Sequence, residues 1–449
     1  MSGPGADREI LGFSIDTRTL APGDFFVAIR GEHFDGNAYV RQAVEKGAVG
    51  AIVNDAELTQ SPELARTPLV VVPESIGALQ KLANKVRCDS GAEVVAVTGS
   101  AGKSTTKEIT ADFLSARYTV FRNKGNLNNH IGLPLSLLEL RKRPDVGVLE
   151  LGMNHSGEIS VLVKIAEPDV RVWTNVGPAH LEFFGTVEAI AQAKAEILEG
   201  ADSDSLLVAN ADDDLVMRHA SSFKGRVRTF GVERPADVRA LAVRDQGIDG
   251  TVAMVRTPIG EAEIRTPLPG LANLSNVLAA AAVAIRFDVP LDDIVNRAAA
   301  LKPVARRGEV VRTGGLAIVD DSYNSNPKAL SRALAMLAGE SRYARRVAIV
   351  GEMLELGAAS AALHRAAGVE AAQADISELV AVGGDNARSL AEGALSAGMP
   401  AGHVHYVENS VAAGDLAAAL VKSGDVVLVK GSRGIRTELV VERLKAEFA

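Results

Sequence analysis

Residues 93–114 read EVVAVTGSAGKSTTKEITADFL, and their reading decides the fold. Glu93 to Thr98 is an apolar, β-branched run of strand length, Gly99 to Gly102 is a loop of small residues, and a helix is expected to begin around Lys103 or Ser104. A buried strand that turns through glycines into a helix N-terminus is suited to a polyphosphate. Backbone N–H groups and the positive end of the helix dipole face the anion, glycines let it approach, Lys103 supplies a cation and Ser104 can ligate Mg2+. Two residues rather than four separate Gly99 from Gly102, so the loop is shorter than the general phosphate-loop pattern, and a plain strand-to-helix turn is the competing reading. The strand before and the helix after favour nucleotide binding, with Gly99, Ser100, Ala101, Gly102, Lys103, Ser104 and Thr105 as the contact residues.

The same alternation of short β-branched runs with longer Ala-rich stretches extends along the chain, as expected of βαβ units and parallel sheets. Further strands are expected at Val146 to Leu151, Val170 to Asn175, Leu316 to Asp321, Arg346 to Val350, Leu379 to Val382 and Val426 to Val429, which makes this an α/β protein. A chain of 449 residues exceeds one ordinary core and suggests three domains. The residues before 90 form their own small unit, with a turn at Pro22-Gly23, and the basic stretch LKPVARRGEVVRTGG at 301–315 reads as a linker. The expected domains are therefore 1–90, 91–310 and 311–449.

Composition narrows the partners. A formal net charge of -8, without any run of Lys or Arg, argues against nucleic acid and for a small-molecule substrate. Cys88 is the only cysteine, which excludes an internal disulfide and fits a reducing compartment. The N-terminal MSGPGADREILG lacks a basic segment followed by an apolar core, and no run of about 18 apolar residues occurs, so a cytoplasmic protein that does not enter membranes is expected. A monomer is the default expectation.

Three further residues stand out beside the loop. Glu150 closes the apolar run VGVLE, where an unpaired carboxylate is costly to bury and a metal ion would compensate it; capping of a neighbouring loop is the alternative. His180 and Lys194 follow the strand VRVWTNV, at the carboxyl edge where open α/β sheets bind ligands. Neither is decisive alone, since a loop histidine is more often a simple hydrogen-bonding group and a helix lysine is usually solvated.

Taken in order, TGSAGKSTTKE, GNLNNHIGLPLSLL, ELGMNHSGEI, TNVGPAHLEFFG with AKAEI, DDSYNSNP, GEMLELG with His364, and KGSRG resemble the Mur ligases over nearly the whole chain. The resemblance implies three domains: a small N-terminal α/β domain for the UDP-sugar end, a central phosphate-loop ATPase with a mainly parallel sheet, and a Rossmann-like C-terminal domain that closes over the site. It implies ATP-dependent joining of D-alanyl-D-alanine to UDP-N-acetylmuramoyl-tripeptide through an acyl phosphate. By position it assigns Ser104 and Glu150 to one Mg2+ and His180 to a second, and it matches Lys194 to a lysine carbamylated in the family. It also puts Asn273 beside the adenine, Arg307 near the γ-phosphate and Asp321 on the ribose. Asp16, Thr17 and Arg18 match the uridine-site segment, Asn326 the dipeptide loop, and Asn128 and Asn129 an asparagine-rich loop whose residues either hold substrate or shape a turn. The sequence departs from the family pattern at His130, Ala305-Arg306, Gly308 and Glu352, which leaves the γ-phosphate contact open between Arg307 and Arg306. Asp385-Asn386-Ala387-Arg388 lacks the proline expected of a diamino-acid-adding relative, and some 90 residues ahead of the loop argue against a folylpolyglutamate synthetase. A scaffold that has lost catalysis is disfavoured because Lys103, Glu150, His180 and Lys194 are all present.

Overall fold

The computed structural model describes residues 9–31 and 33–449; most of the N-terminal segment read above for export signals lies outside them. Nineteen strands are distributed along these residues. β1 (Gly12–Ser14), β2 (Asp24–Val27), β3 (Gly50–Val53) and β4 (Leu69–Val71) come first, and β5 (Glu93–Thr98), β6 (Val120–Arg122), β7 (Val146–Glu150), β8 (Val170–Trp173), β9 (Leu206–Asn210), β10 (Arg226–Gly231), β11 (Val238–Asp245), β12 (Thr251–Thr257) and β13 (Gly260–Thr266) follow. The last six are β14 (Glu309–Thr313), β15 (Leu316–Asp321), β16 (Arg345–Gly351), β17 (Glu378–Val382), β18 (Val404–Val407) and β19 (Asp425–Lys430).

Spatially these residues form two compact units. The first runs up to Ala96 and includes Tyr118–Met153 and Gly157–Asp169. In it β1-β2-β3-β4 form a parallel sheet whose apolar face, with Phe26, Ala28, Ala51 and Val53, packs on Val40, Ala43 and Leu64. Pro22-Gly23 turns into β2 as expected, with Gly23 at φ 95. The helix Ser75–Ser90 starts where Glu74 accepts from the amides of Ile76 and Gly77 and stops at Gly91, whose φ of 73 an L residue would resist. Arg87 binds the carbonyls of Ala166 and Glu167, capping the C-terminus of the helix Glu158–Ala166. That packing joins the leading helix to segments around β6 and β7, so this compact unit combines stretches that are separate along the chain.

The second unit holds Val97–Arg117, Asn154–Ser156 and Val170–Ala449. There β8, β9, β10 and β11 pair in parallel, and β11-β12-β13 continue as antiparallel neighbours. The last six strands make their own sheet in the order β14-β15-β19-β16-β17-β18, parallel except at the β14–β15 edge. Its strands are apolar on both faces. Ala348 and Val350 of β16 face one cluster while Val347 and Ile349 face another, which is why the sequence shows continuous rather than alternating runs. One expectation is corrected: residues 301–315 are not simply a linker. Glu309–Thr313 is a strand that returns antiparallel to β15 through the Gly314-Gly315 turn, both glycines lying at positive φ.

Candidate active site

In the second unit the loop after β5 is shaped by its glycines. Gly99 has φ 149 and Gly102 φ 81, and a Cβ at Gly99 would lie 1.9 Å from Thr174 Oγ1. Gly102 then hands the chain to the helix Lys103–Leu114, which places Ser104 and Thr105, both buried, in its first turn. The strand, glycine loop and helix thus fall where residues 93–114 predict.

Asn175, which the sequence reading did not single out, is the clamp of this loop. Its side-chain oxygen accepts from Ala101 N at 2.9 Å, its Nδ2 donates to Ala101 O at 3.0 Å, and its own carbonyl accepts from Ser100 N at 3.0 Å. Thr174 Oγ1 donates to the same Ala101 carbonyl. The amides of Ser100 and Ala101, expected to contact phosphate, are therefore used within the protein. Lys103 Nζ donates to Gly99 O at 2.9 Å, bending its cation back over the loop.

Lys194 lies on the helix Val187–Ala195, as expected, but it is not the solvated lysine that a helix usually carries. It is 2% exposed, and burial, aided by the charge of Lys103, holds its pKa well below the usual amine range. His180 opens a short helix, Leu181–Phe184, and its Nδ1 lies 2.6 Å from Glu355 Oε2. Asn273 donates to Pro269 O, and the neighbouring Asn276 accepts from Thr106 Oγ1 at 3.2 Å, tying the helix Leu271–Arg286 to the phosphate-loop helix.

The C-terminal residues supply further groups. Arg307 lies over the ring of Tyr323, its guanidinium carbon 4.0 Å from the centroid, whereas Arg306 turns to Glu438 and Glu442 at 3.4 and 3.7 Å. Asp321 is paired with Lys430 at 2.6 Å. Asn326 caps the helix Pro327–Ala338, accepting from Ala329 N. Lys328, in the first turn of that helix, donates to Val176 O at 3.3 Å.

The first unit carries the remaining predicted residues. Asn128 donates from Nδ2 to the buried Glu150 at 2.9 Å, while the Asn129 oxygen accepts from Ile131 N and Gly132 N and so takes the turn-forming role. Asp16 pairs with Arg18 at 2.7 Å, and the hydrogen bonds from Arg18 lower its carboxyl pKa to about 2. Thr17 Oγ1 donates to Gln42, and Lys46 binds the Thr17 carbonyl.

Among the described residues no three of His, Cys, Asp or Glu converge as a metal cluster. Mg2+ needs none, because it keeps several waters and takes substrate phosphate oxygens beside one or two protein oxygens. Ser104 and Glu150 have the required chemistry, and His180 retains Nε2 when Nδ1 faces Glu355.

Phosphate loop, buried low-pKa lysine and parallel sheets define the class: an α/β nucleotide-binding enzyme. Over residues 97–284 the chain matches the family described as the Mur ligase middle domain, over 306–433 the Mur ligase glutamate ligase domain, and over 9–87 the Mur ligase catalytic domain. It is 35% identical to the UDP-N-acetylmuramoyl-tripeptide--D-alanyl-D-alanine ligase of Escherichia coli, across 98% of this chain and 95% of that protein. Solved structures of MurF from Acinetobacter baumannii (TM-score 0.87, 31% identity, 97% of this chain and 94% of that one) and of MurF from Thermotoga maritima in complex with ADP (0.86, 30%, 98% and 99%) are similar throughout. The chain belongs to the Mur ligase family, with its three domains.

Proposed function

We propose that the protein joins D-alanyl-D-alanine to UDP-N-acetylmuramoyl-tripeptide at the expense of ATP, forming the pentapeptide precursor of peptidoglycan in the cytoplasm. Cell shape and division would depend on it through the wall it supplies. The working domains are 1–90 for the UDP-substrate, 91–310 for ATP and ligation, and 311–449 for the C-terminal Rossmann-like domain.

The reaction has two steps. A tripeptide carboxylate oxygen attacks the γ-phosphorus and the bond to the β-phosphate oxygen breaks, giving an acyl phosphate and ADP. The dipeptide amine then attacks the acyl carbon, loses a proton and expels phosphate. Both reactants of the first step are anionic, so cations must be held in place before they meet. Lys103 and Arg307 take this role; Arg306, engaged with two glutamates, does not. The amides from Gly102 to Thr105 receive the phosphates, with Asn273 at the adenine and Asp321 at the ribose. Ser104, Glu150 and His180 are the residues that would hold Mg2+, whose chemistry is to offset charge on the transferring phosphoryl group. Asp16, Thr17 and Arg18 take the uridine end, Asn326 serves the dipeptide, and Asn128 helps hold phosphates or substrate.

Lys194 carries this reading. Burial and the charge of Lys103 ease loss of the Lys194 proton, the uncharged amine is the form that reacts with CO2, and the resulting carbamate would place beside Lys103 an anion that can orient Mg2+. The test is acceptor choice. With UDP-muramoyl-tripeptide and ATP, D-alanyl-D-alanine should elicit ADP release, whereas D-alanine or meso-diaminopimelate should not; release with a single amino acid and not with the dipeptide refutes the assignment.

A further inference from the structure

We infer that Glu355 is a positioning residue for His180: its carboxylate fixes the imidazole as the Nδ1–H tautomer, so that Nε2 is the nitrogen presented to the reacting groups. Their separation is 2.6 Å, a charge-assisted contact, although 175 positions separate the two residues in the chain. Both sit at left-handed backbone angles, φ 62 for His180 and 64 for Glu355, which L residues rarely adopt without surrounding structure that enforces it. A second bond runs in parallel, Glu182 N donating to the Glu355 carbonyl at 3.0 Å. Gly357 permits the approach, since a Cβ there would meet Glu182 Cα at 3.1 Å.

The carboxylate is itself held on a rigid support. Met353 N donates to His364 Nε2 at 2.8 Å, and the other nitrogen of that fully buried ring faces Ser360 O at 2.7 Å. Leu354 N donates to Ser432 Oγ, Ser432 N returns a bond to Glu352 O, and the Glu352 side chain accepts from Asn386 N and Ala387 N. The loop after β16 is thus pinned at three places, by His364, Ser432 and the Asn386–Ala387 amides, while His180 starts a helix of only four residues. Support of this kind orients the histidine rather than the reverse. A histidine that ligates or polarises through one nitrogen commonly donates the other N–H to a carboxylate, and losing that partner weakens metal affinity or activity by roughly ten- to a hundredfold. Because Glu355 comes from the C-terminal domain, correct presentation of His180 depends on that domain being docked.

Only the effect on rate rests on the ligase reading; the tautomer does not. The experiment is 15N NMR of histidine side chains in full-length protein free of Mg2+ and nucleotide, in wild type, Glu355→Ala and Glu355→Gln. The expected result is an Nδ1–H tautomer for His180 in wild type and in Glu355→Gln, whose amide oxygen still accepts, and loss of that tautomer in Glu355→Ala. In turnover, Glu355→Ala should lose roughly ten- to a hundredfold in kcat with little change in KM for the UDP-substrate, and Glu355→Gln should recover most of it. An Nε2–H tautomer in wild type overturns the inference even if the alanine variant fails to fold, and so does an unchanged tautomer in a folded Glu355→Ala protein.

Discussion

Gly102→Ala tests whether the loop geometry, rather than the mere presence of Lys103 and Ser104, governs nucleotide binding. Alanine at φ 81 costs about 1–2 kcal/mol in the left-handed region. Its Cβ would lie 2.4 Å from Asn276 Oδ1, so that side chain must retreat by about an ångström to reach ordinary contact. Asn276 is buried and accepts from Thr106 Oγ1, and breaking that bond costs about 1 kcal/mol more. If the loop relieves the strain by leaving its binding conformation, about 2–3 kcal/mol must be restored on binding, which is about a 30- to 150-fold weaker Kd for ADP. Isothermal titration calorimetry with ADP and Mg2+ measures this, with circular dichroism to verify folding. Gly91→Ala is the control: its φ of 73 imposes a similar backbone cost, no atom lies within 4 Å of the added methyl, and ADP affinity should be unchanged. An ADP Kd for Gly102→Ala within about threefold of wild type, less than 0.7 kcal/mol, would refute the reasoning.

Lys194→Ala should lower ligase activity by roughly a hundredfold or more, the scale of a missing electrostatic group at a reacting centre, and a short-chain carboxylate in solution should restore part of it; full activity in the untreated variant rules out the carbamate. The same lysine makes a pH prediction. Its folded pKa lies below the unfolded value of 10.5, so between the two the unfolded chain binds more protons and this group's contribution to stability rises with pH. In CO2-depleted protein, where the amine is unmodified, the thermal midpoint of Lys194→Met relative to wild type should therefore be higher at neutral pH, with the advantage shrinking toward pH 10.5; a constant difference contradicts the burial argument. Arg307→Ala should reduce kcat by about a thousandfold, as for an arginine that meets a transferring phosphoryl group. Arg306→Ala removes only half-exposed ion pairs, worth no more than about 1 kcal/mol, and should leave kcat near wild type. Equal losses in the two arginine variants would undo that division.

What was legible in the sequence is what is encoded locally. β5 and β15 begin and end where the apolar runs do, and the phosphate loop is contiguous, so glycine, lysine and serine declare themselves within six residues. β14 was obscured because its sequence, EVVRT, sits among Arg and Gly residues that read as a linker, and its partner strand supplies the evidence for pairing. Asn175 and Glu355 were missed for a related reason. Asparagine after a strand and glutamate in a loop are ordinary residues by themselves, and their roles exist only through contacts to positions 74 and 175 residues distant. Lys194 stood out by its place after a strand and its special role came from resemblance, whereas its buried amine is seen only in the fold.

The most direct test of the central claim is phosphate release from ATP by the purified protein with Mg2+ and UDP-N-acetylmuramoyl-tripeptide, with and without D-alanyl-D-alanine, followed by the mass of the product. Release that requires both substrates, with the mass of the UDP-muramoyl-pentapeptide, is the predicted result. Absence of release under every pairing, or a product lacking the dipeptide, would contradict it.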